Sequence, residues 1–303
     1  MAEGAGSGST ERLTFWQRQA LKRLVKIARK RRGEPLAASD WGAYIEFIAQ
    51  PQSRAIKRML LALPSTPRCG FCGAPFAGLG GRAVRPLGYR PLRKNPNLCA
   101  TCVELAPPGG MTADVGVLFA DLRGFTTRSE SLTPEQTSAL LRRFYASAEH
   151  VLFPEALIDK VIGDEVMALY LPVFLVPDSP PSDVDDDARR RVAAVMLGHA
   201  RELLEHVGYG TAGGPEFEVG IGLDFGEAFI GNIGDGGVHD FTAVGDVVNT
   251  ASRLQSQAAG GEVVVSDRVA RFLDPIPGVA EEMALKGKQL PVLARRVTWF
   301  SGP

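Results

Sequence analysis

This 303-residue chain has only four cysteines, no net charge and no long apolar run. Its apolar stretches fall far short of the roughly 20 residues that a membrane-spanning helix requires. The first ten residues are small and polar, unlike the basic start and apolar core of a secretory signal. Without an export signal, the cysteines point to metal binding rather than to disulfides. We therefore expect a cytoplasmic protein.

The zero net charge conceals an uneven distribution. Residues 1–110 contain 18 basic and six acidic side chains, whereas the remaining residues contain 16 basic and 28 acidic ones. Two regions of opposite charge indicate two modules. The basic module has three candidate acidic partners, namely the C-terminal half of the chain, a nucleic acid or an anionic lipid surface.

The patterns along the chain predict three regions. Residues 1–63 are basic and helical, with an amphipathic helix over Leu13–Arg31 and a second helical stretch from about Ser39 to Leu63 that breaks near Pro51. Residues 64–110 are rich in glycine and proline and contain every cysteine. Residues 111–303 alternate short β-rich segments with helices, which predicts an α/β (α+β) sandwich.

The function of the basic N-terminal helix has two interpretations. It could lie on an anionic membrane surface, as basic amphipathic helices do. The interpretation we favour is that it packs on the C-terminal domain or pairs with a second copy of the chain.

The cysteines form two pairs that predict a Cys₄ metal site. Cys69 and Cys72 make one C-x-x-C pair, Cys99 and Cys102 make the other, and 26 residues separate them. Zinc is the usual occupant of such a set, and we expect one structural zinc per chain, with an iron centre or no metal as alternatives. A nucleic-acid-binding ribbon is a further alternative. It is disfavoured because Tyr89 is the one aromatic residue among the basic residues between the pairs.

Two aspartates follow β-rich segments in a way that suggests a cation site. Asp121 ends an apolar strand in FADLRGFT, and Asp164 lies in a predicted hairpin turn within KVIGDEVMA. If the strands over 114–120 and 157–162 are neighbours, the two carboxylates end close together. Two carboxylates beside a triphosphate would bind a pair of Mg²⁺ or Mn²⁺ ions. The alternative is that each aspartate merely ends a turn.

A third motif, FTAVGDVVNTASRL over residues 241–254, predicts a helix with a functional face. Asn249 and Arg253 are four residues apart, so they share one side of that helix. Arg253 could stabilise charge on a pentavalent phosphorus, and Asn249 could orient a ribose. The alternative is an ordinary surface helix with an exposed arginine.

Together, ADLRGFT, KVIGDEVMA and TAVGDVVNTASRL resemble the catalytic domain of class III adenylate/guanylate cyclases over residues 111–300. The resemblance implies a ferredoxin-like βαββαβ core with extra elements, and head-to-tail homodimers with two active sites at the interface. It also implies that one chain binds two Mg²⁺ or Mn²⁺ ions through Asp121, Asp164 and the Leu122 carbonyl, while the partner contributes Asn249 and Arg253.

The same resemblance assigns residues that would contact the substrate. Phe125 and Thr126 follow the first metal aspartate, and Lys286 matches a family lysine that contacts the terminal phosphates, with Lys288 as its rival. Purine choice in the family depends on two positions that match Lys160 and Thr242. A lysine can donate to adenine N1 and a threonine hydroxyl can accept from the adenine amine, so this pair favours ATP.

These features favour an adenylate cyclase that forms 3′,5′-cyclic AMP. The alternatives are a cyclase for GTP or a pyrimidine triphosphate, and a catalytically silent cyclase-like regulatory module. The presence of both aspartates, the asparagine and the arginine argues against the silent module.

Overall fold

The computed structural model describes residues 18–20, 22, 41–92, 98–107, 109–176, 184–235 and 238–300. Most of the predicted basic helix over Leu13–Arg31 lies outside these residues, although 18–20 and 22 are helical. The chain divides into two compact units. The first comprises residues 1–111 and 230–242, and the second comprises residues 112–229 and 243–303. Among the described residues, no helix combines the length and apolarity that a membrane span needs.

Besides the helical residues 18–20 and 22, the described part of the first unit contains the helices α1 (Trp41–Ala49), α2 (Pro51–Ala62), α3 (Gly78–Val84) and α4 (Ala100–Leu105). The predicted break near Pro51 is confirmed, because Pro51 occupies the first position of α2, where a missing N–H costs nothing. Its core is small and aromatic. Trp41, Tyr44 and Phe71 are at most 5% exposed, and Phe241 is 3% exposed.

One eight-stranded sheet organises the rest of the described chain. Its strands are β1 (Gly109–Leu122), β2 (Leu157–Ile162), β3 (Glu165–Tyr170), β4 (Val219–Asp235), β5 (Val238–Val244), β6 (Val263–Ser266), β7 (Ala280–Met283) and β8 (Val292–Val297). The spatial order is β2-β3-β1-β4-β6-β8-β7, and β5 pairs with β4. Residues 230–242 of the β4–β5 hairpin belong to the first unit.

The helices of the second unit are α5 (Phe125–Glu130), α6 (Pro134–Leu152), α7 (Pro172–Leu175), α8 (Asp186–His206), α9 (Asp246–Gln257) and α10 (Asp267–Ala270). Helices α6 and α8 contribute to the main core, which also contains Val263 and Val265. Helix α9 packs in a second cluster with Val264. Because successive strand residues face opposite sides, β6 buries one face in the main core and the other in the cluster that contains α9. The predicted α+β class is confirmed.

Local signals predicted several elements well. The capping box of Thr133 and Gln136 and the proline at the first helical position start α6 at Pro134. The hairpin of β2 and β3 turns at residues 163–164, as predicted.

Two sequence expectations require correction. The sequence pattern also suggests separate strands over residues 216–223 and 226–230. The structure instead has the single strand β4 over Val219–Asp235, within which Asp224 is buried and hydrogen-bonded. In addition, β1 does not pair with the strand over 157–162, because β3 lies between them.

Candidate active site

Asp121 and Asp164 meet at one end of the β1–β3 pair. Asp121 lies opposite Glu165 in the antiparallel register, immediately after the turn that contains Asp164. The backbone N–H of Leu122 donates to the Asp164 carbonyl oxygen at 3.2 Å, which ties the turn to the end of β1. The predicted approach of the two aspartates therefore survives the corrected strand order, because Asp164 sits in the turn that leads into the adjacent strand.

A glycine allows the chain to leave this strand at once. Gly124 has a φ of 65°, in the left-handed region that glycine adopts without a Cβ clash, and α5 begins at the next residue. Phe125 is partly buried against the main core, whereas Thr126 is exposed. The structure therefore places Thr126 on the surface beside the end of β1.

The electrostatics of this corner match a cation site. Burial raises the pKa of Asp121, and the nearby charge of Asp164 raises it further, while Arg123 opposes both effects. Burial and the charges of Asp121 and Asp164 also raise the pKa of Glu165. Crowded carboxylates resist ionisation until a cation neutralises them. Carboxylate oxygens are the ligands that Mg²⁺ and Mn²⁺ prefer, so these residues fit a divalent metal.

Arg123 is a residue of this site that the sequence analysis missed. Its guanidinium forms an ion pair with the Asp121 carboxylate. The same guanidinium donates to the Ala258 carbonyl oxygen at 3.3 Å, just beyond the C-terminus of α9. Gly220 leaves room for it, since a Cβ there would lie 2.9 Å from Arg123 Nε. Arg123 therefore holds Asp121 and the end of α9 together within one chain. The sequence did contain a signal for this role, since Arg123 is a cationic residue two positions after the strand-end aspartate.

Helix α9 carries the predicted transition-state residues. Asn249 is exposed and Arg253 is half-buried. Arg253 lies near the loop that contains Lys286, since a Cβ on Gly287 would be 3.3 Å from Arg253 Nη2. Lys286 is exposed, whereas Lys288 forms an ion pair with Asp246. This pairing favours Lys286 over Lys288 as the lysine available to a phosphate.

An ion-pair network that the sequence analysis also missed anchors α9. The Asp224 carboxylate is fully buried and accepts hydrogen bonds from Ser266 Oγ at 2.6 Å and from Arg268 Nε at 3.0 Å. Arg268 also contacts Asp246, the first residue of α9, at 3.5 Å. Burial raises the pKa of Asp224, and Arg268 opposes the rise. The network links β4 and α10 to the start of the helix that carries Asn249.

In the part of the chain that the structure describes, no bond joins the two predicted halves of the site. Among the described residues, no hydrogen bond or ion pair joins Asn249 or Arg253 to Asp121 or Asp164. The contact that links the two regions runs through Arg123, at the opposite end of α9 from Asn249.

The two predicted base-recognition residues lie in different units. Lys160 follows a register shift in β2, is partly exposed and lies opposite Met167 of β3. Thr242 is 6% exposed and lies in β5, in the part of the hairpin that belongs to the first unit. Their joint role in base recognition stays a prediction.

The four cysteines converge as their spacing predicted. Their sulfur atoms all lie within 4.8 Å of one another. The distance between the Sγ atoms of Cys72 and Cys99 is 3.7 Å, and the distance between those of Cys69 and Cys102 is 4.0 Å. A tetrahedral zinc site with bonds of about 2.3 Å places its sulfurs about 3.8 Å apart. The cluster therefore has the size that a tetrahedral metal ion requires.

Backbone groups support the thiols as ligands. The N–H of Cys99 donates to Cys69 Sγ, and the N–H of Cys102 donates to Cys99 Sγ, both at 3.3 Å. Gly73 turns the first pair with a φ of 73°. Burial raises the pKa of the Cys99 thiol, and the charge of Cys69 adds to it. Two buried and two half-buried thiols at this distance cannot all ionise unless a cation compensates them, so this donor set fits a metal.

Comparison with known proteins identifies a family for residues 110–299. Residues 110–299, more than half of the chain, match the family described as the adenylate and guanylate cyclase catalytic domain. The chain is 29% identical over 183 residues to an adenylate cyclase of Anabaena cylindrica, which covers 56% of this chain and 34% of that protein. It is 32% identical over 181 residues to the uncharacterized protein Rv2212 of Mycobacterium tuberculosis, covering 59% and 40%. The chain thus spans well under two thirds of the length of these relatives.

Solved structures show the same similarity. The adenylyl cyclase CyaB from P. aeruginosa aligns with a TM-score of 0.53 and 25% identity, covering 63% of this chain and 96% of that one. The guanylyl cyclase Cya2 aligns with a TM-score of 0.50 and 28% identity, covering 64% and 96%.

Proposed function

We propose that this chain, which belongs to the class III adenylate/guanylate cyclase catalytic-domain family, is an adenylate cyclase that converts ATP to 3′,5′-cyclic AMP and pyrophosphate. One observation carries the proposal: Asp121 and Asp164 lie together at the end of β1, where burial and, in addition, the nearby charge of Asp164 raise the pKa of Asp121. This is the charge pattern of a site that divalent metal ions neutralise.

In this proposal the acidic corner holds two Mg²⁺ or Mn²⁺ ions. Asp121, Asp164 and the Leu122 carbonyl would be the ligands, and Arg123 would release the Asp121 carboxylate when they bind. The ions would supply a lower pKa for the ribose 3′-hydroxyl and neutralisation of the triphosphate charge. Phe125 and Thr126, beside this corner, would contact the substrate.

Arg253 and Asn249 would act on the reacting atoms. The ribose 3′-oxygen would form a bond to the α-phosphorus and give its proton to water, and the bond between the α-phosphorus and the pyrophosphate oxygen would break. Arg253 would stabilise the negative charge on the pentavalent phosphorus, and Asn249 would orient the ribose. Lys286, exposed near Arg253, would bind the terminal phosphates.

The chain would complete its site by forming a homodimer. Asn249 is exposed, and among the described residues no hydrogen bond joins it to the two aspartates of its own chain. A head-to-tail arrangement would bring Asn249 and Arg253 of one protomer to the metal aspartates of the other, and twofold symmetry would create two such sites.

The choice of ATP rests on Lys160 and Thr242. An ammonium donor suits adenine N1, and a hydroxyl acceptor suits the adenine amine. Relatives named adenylate cyclase, from Anabaena cylindrica and Rhizobium meliloti, agree with this choice. A guanylyl cyclase among the similar structures keeps GTP as the second candidate substrate.

The Cys₄ cluster would bind one structural zinc per chain. The sulfur distances and the N–H donors to sulfur support zinc, and tetrahedral thiolate sites also accept iron. We propose a cytoplasmic location, where the thiols stay reduced and available to the metal.

The test of activity is a turnover assay of purified protein with Mn²⁺ and each of ATP, GTP, CTP and UTP, with products identified by mass. Cyclic AMP as the main product supports the proposal. Another cyclic nucleotide as the main product refutes the proposed roles of Lys160 and Thr242 in base recognition. The absence of any product from folded dimers refutes the proposed cyclase activity.

Complementation tests the shared site. Asp121→Ala and Arg253→Ala homodimers should each lose activity by at least about 100-fold, since each lacks a group that acts on the transition state. Random mixing makes half of the dimers heterodimers, each with one intact site. The mixture should therefore recover about a quarter of wild-type activity. Arg190→Ala, an exposed surface change, is the matched control. A mixture that stays inactive after verified subunit exchange contradicts the interfacial site.

A further inference from the structure

Within the first unit, the Cys₄ cluster is in direct contact with the β4–β5 hairpin. Phe71 lies inside the first cysteine pair, between Cys69 and Cys72, and its ring meets the Phe241 ring edge-on at 4.9 Å and 81°. Both rings are at most 5% exposed. Edge-to-face pairs at this distance are attractive beyond the apolar area that they bury.

A second aromatic residue, on α1, packs against Phe241. Trp41 is 1% exposed and its ring centroid lies 5.9 Å from that of Phe241. Trp41 also contacts Tyr44, whose hydroxyl donates to the Cys102 carbonyl oxygen at 2.8 Å. Phe241 therefore contacts two rings. Phe71 lies within the first cysteine pair, and Trp41 packs on Tyr44, which is hydrogen-bonded to Cys102 of the second pair.

The other strand of the hairpin is held by the segment that leaves the cysteine cluster. Asn232 Nδ2 donates to the Pro107 carbonyl oxygen at 3.3 Å. Gly231 approaches the backbone so closely that a Cβ would lie 2.2 Å from the Gly109 carbonyl oxygen. The segment that follows the cysteines therefore contacts β4, in addition to the contact of Phe71 with β5.

Phe241 directly precedes Thr242, the residue proposed to recognise the base. Adjacent Cα atoms are held about 3.8 Å apart, so a shift of Phe241 is passed on to Thr242. Successive strand residues face opposite sides. Phe241 therefore faces the module, and Thr242 faces the other side of the strand.

We propose that the Cys₄ module positions the base-recognition strand, with Phe71 and Phe241 as positioning residues for substrate selection. Metal at the four cysteines fixes the turn that carries Phe71, and Phe71 fixes β5. This inference rests on the proposed function for its effect on specificity, and on the aromatic contacts alone for its effect on the hairpin.

The test uses the zinc-loaded full chain and three variants. Phe71→Ala removes the ring, Phe71→Met keeps most of its volume and a sulfur contact with Phe241, and Leu79→Ala changes a 75% exposed side chain of the same unit as a control. Each protein is measured for zinc per chain, for kcat/KM with ATP and with GTP, and for hydrogen exchange in peptides covering residues 239–244.

Phe71→Ala should keep its zinc, lower the ratio of kcat/KM for ATP over GTP by about threefold to tenfold, and speed exchange over residues 239–244. The range corresponds to the loss of one aromatic pair. Phe71→Met should recover most of the ratio, and Leu79→Ala should match wild type. An unchanged ratio and unchanged exchange in zinc-loaded Phe71→Ala would overturn the inference.

Two further measurements keep the outcomes separate. If Phe71→Ala loses zinc, Phe241→Leu removes the same contact without touching the cysteine turn, and the same criteria apply to it. If wild type forms no cyclic nucleotide, the proposed function fails. In that case the hydrogen exchange of residues 239–244 still decides whether the module holds the hairpin.

Discussion

Replacing Arg268 with alanine removes the guanidinium that faces the buried Asp224 carboxylate. Asp224 is fully buried and Arg268 is 40% exposed. Loss of one partner of a fully buried ion pair costs about 3–5 kcal/mol. Because water can enter where the exposed part of Arg268 lay, and because Ser266 still donates to Asp224, we expect a loss of about 2–3 kcal/mol in the free energy of unfolding near pH 8.

The loss should depend on pH in a defined direction. Burial already raises the pKa of Asp224 in the native protein, and Arg268 opposes the rise. Without Arg268 the folded-state pKa rises further above that of the unfolded chain. The folded variant then binds a proton at a pH where the unfolded chain does not. Its stability relative to wild type should therefore recover as the pH falls from 8 towards 5.

Urea unfolding at pH 8 and pH 5 measures both effects. The matched control is Arg190→Ala, which breaks an ion pair with Asp187 whose two side chains are 61% and 73% exposed and should cost at most about 0.5 kcal/mol. The reasoning is refuted if Arg268→Ala loses no more stability than this control at pH 8. It is also refuted if the loss is the same at both pH values.

Two further predictions concern the second unit. Burial lowers the pKa of His199, whose Nδ1 lies 3.1 Å from the Tyr170 hydroxyl. The unfolded chain therefore binds this proton at a higher pH than the folded chain does, and stability should fall as the pH drops below about 6.5. His199→Asn should flatten that part of the pH profile in urea titrations at pH 7.5 and 5.5, and parallel profiles would contradict the argument. A Cβ at Gly222 would lie 2.3 Å from both the Ala251 carbonyl oxygen and the Gln255 nitrogen of α9. Gly222→Ala should therefore push α9 away from the sheet, lower the free energy of unfolding by about 1–3 kcal/mol and lower kcat. Gly198→Ala, with open space around its Cβ, should have none of these effects. Equal unfolding midpoints for the two variants would contradict this argument.

Local signals explain which elements could be predicted from sequence. The α6 start depends on Thr133, Pro134 and Gln136, which lie within four residues of one another. The two C-x-x-C pairs predicted a cluster whose sulfurs do converge. The single strand β4 was not predictable in this way, because Asp224 resembles a turn residue and is accommodated in the strand by Ser266 and Arg268, more than 40 residues away.

The sequence by itself determined the family, because the three cyclase motifs are short, contiguous and ordered along the chain. It also placed Asp121 at a strand end and Asp164 in a hairpin turn, since both are local features. That the two aspartates come together depends on the pairing of β1 with β3, which is a long-range contact. Only the tertiary structure decided that β3 separates β1 from β2, that Arg123 pairs with Asp121, and that Phe71 packs on Phe241. The last of these contacts joins residues 170 positions apart, and its partner is chosen by packing in three dimensions, for which local periodicity carries no signal.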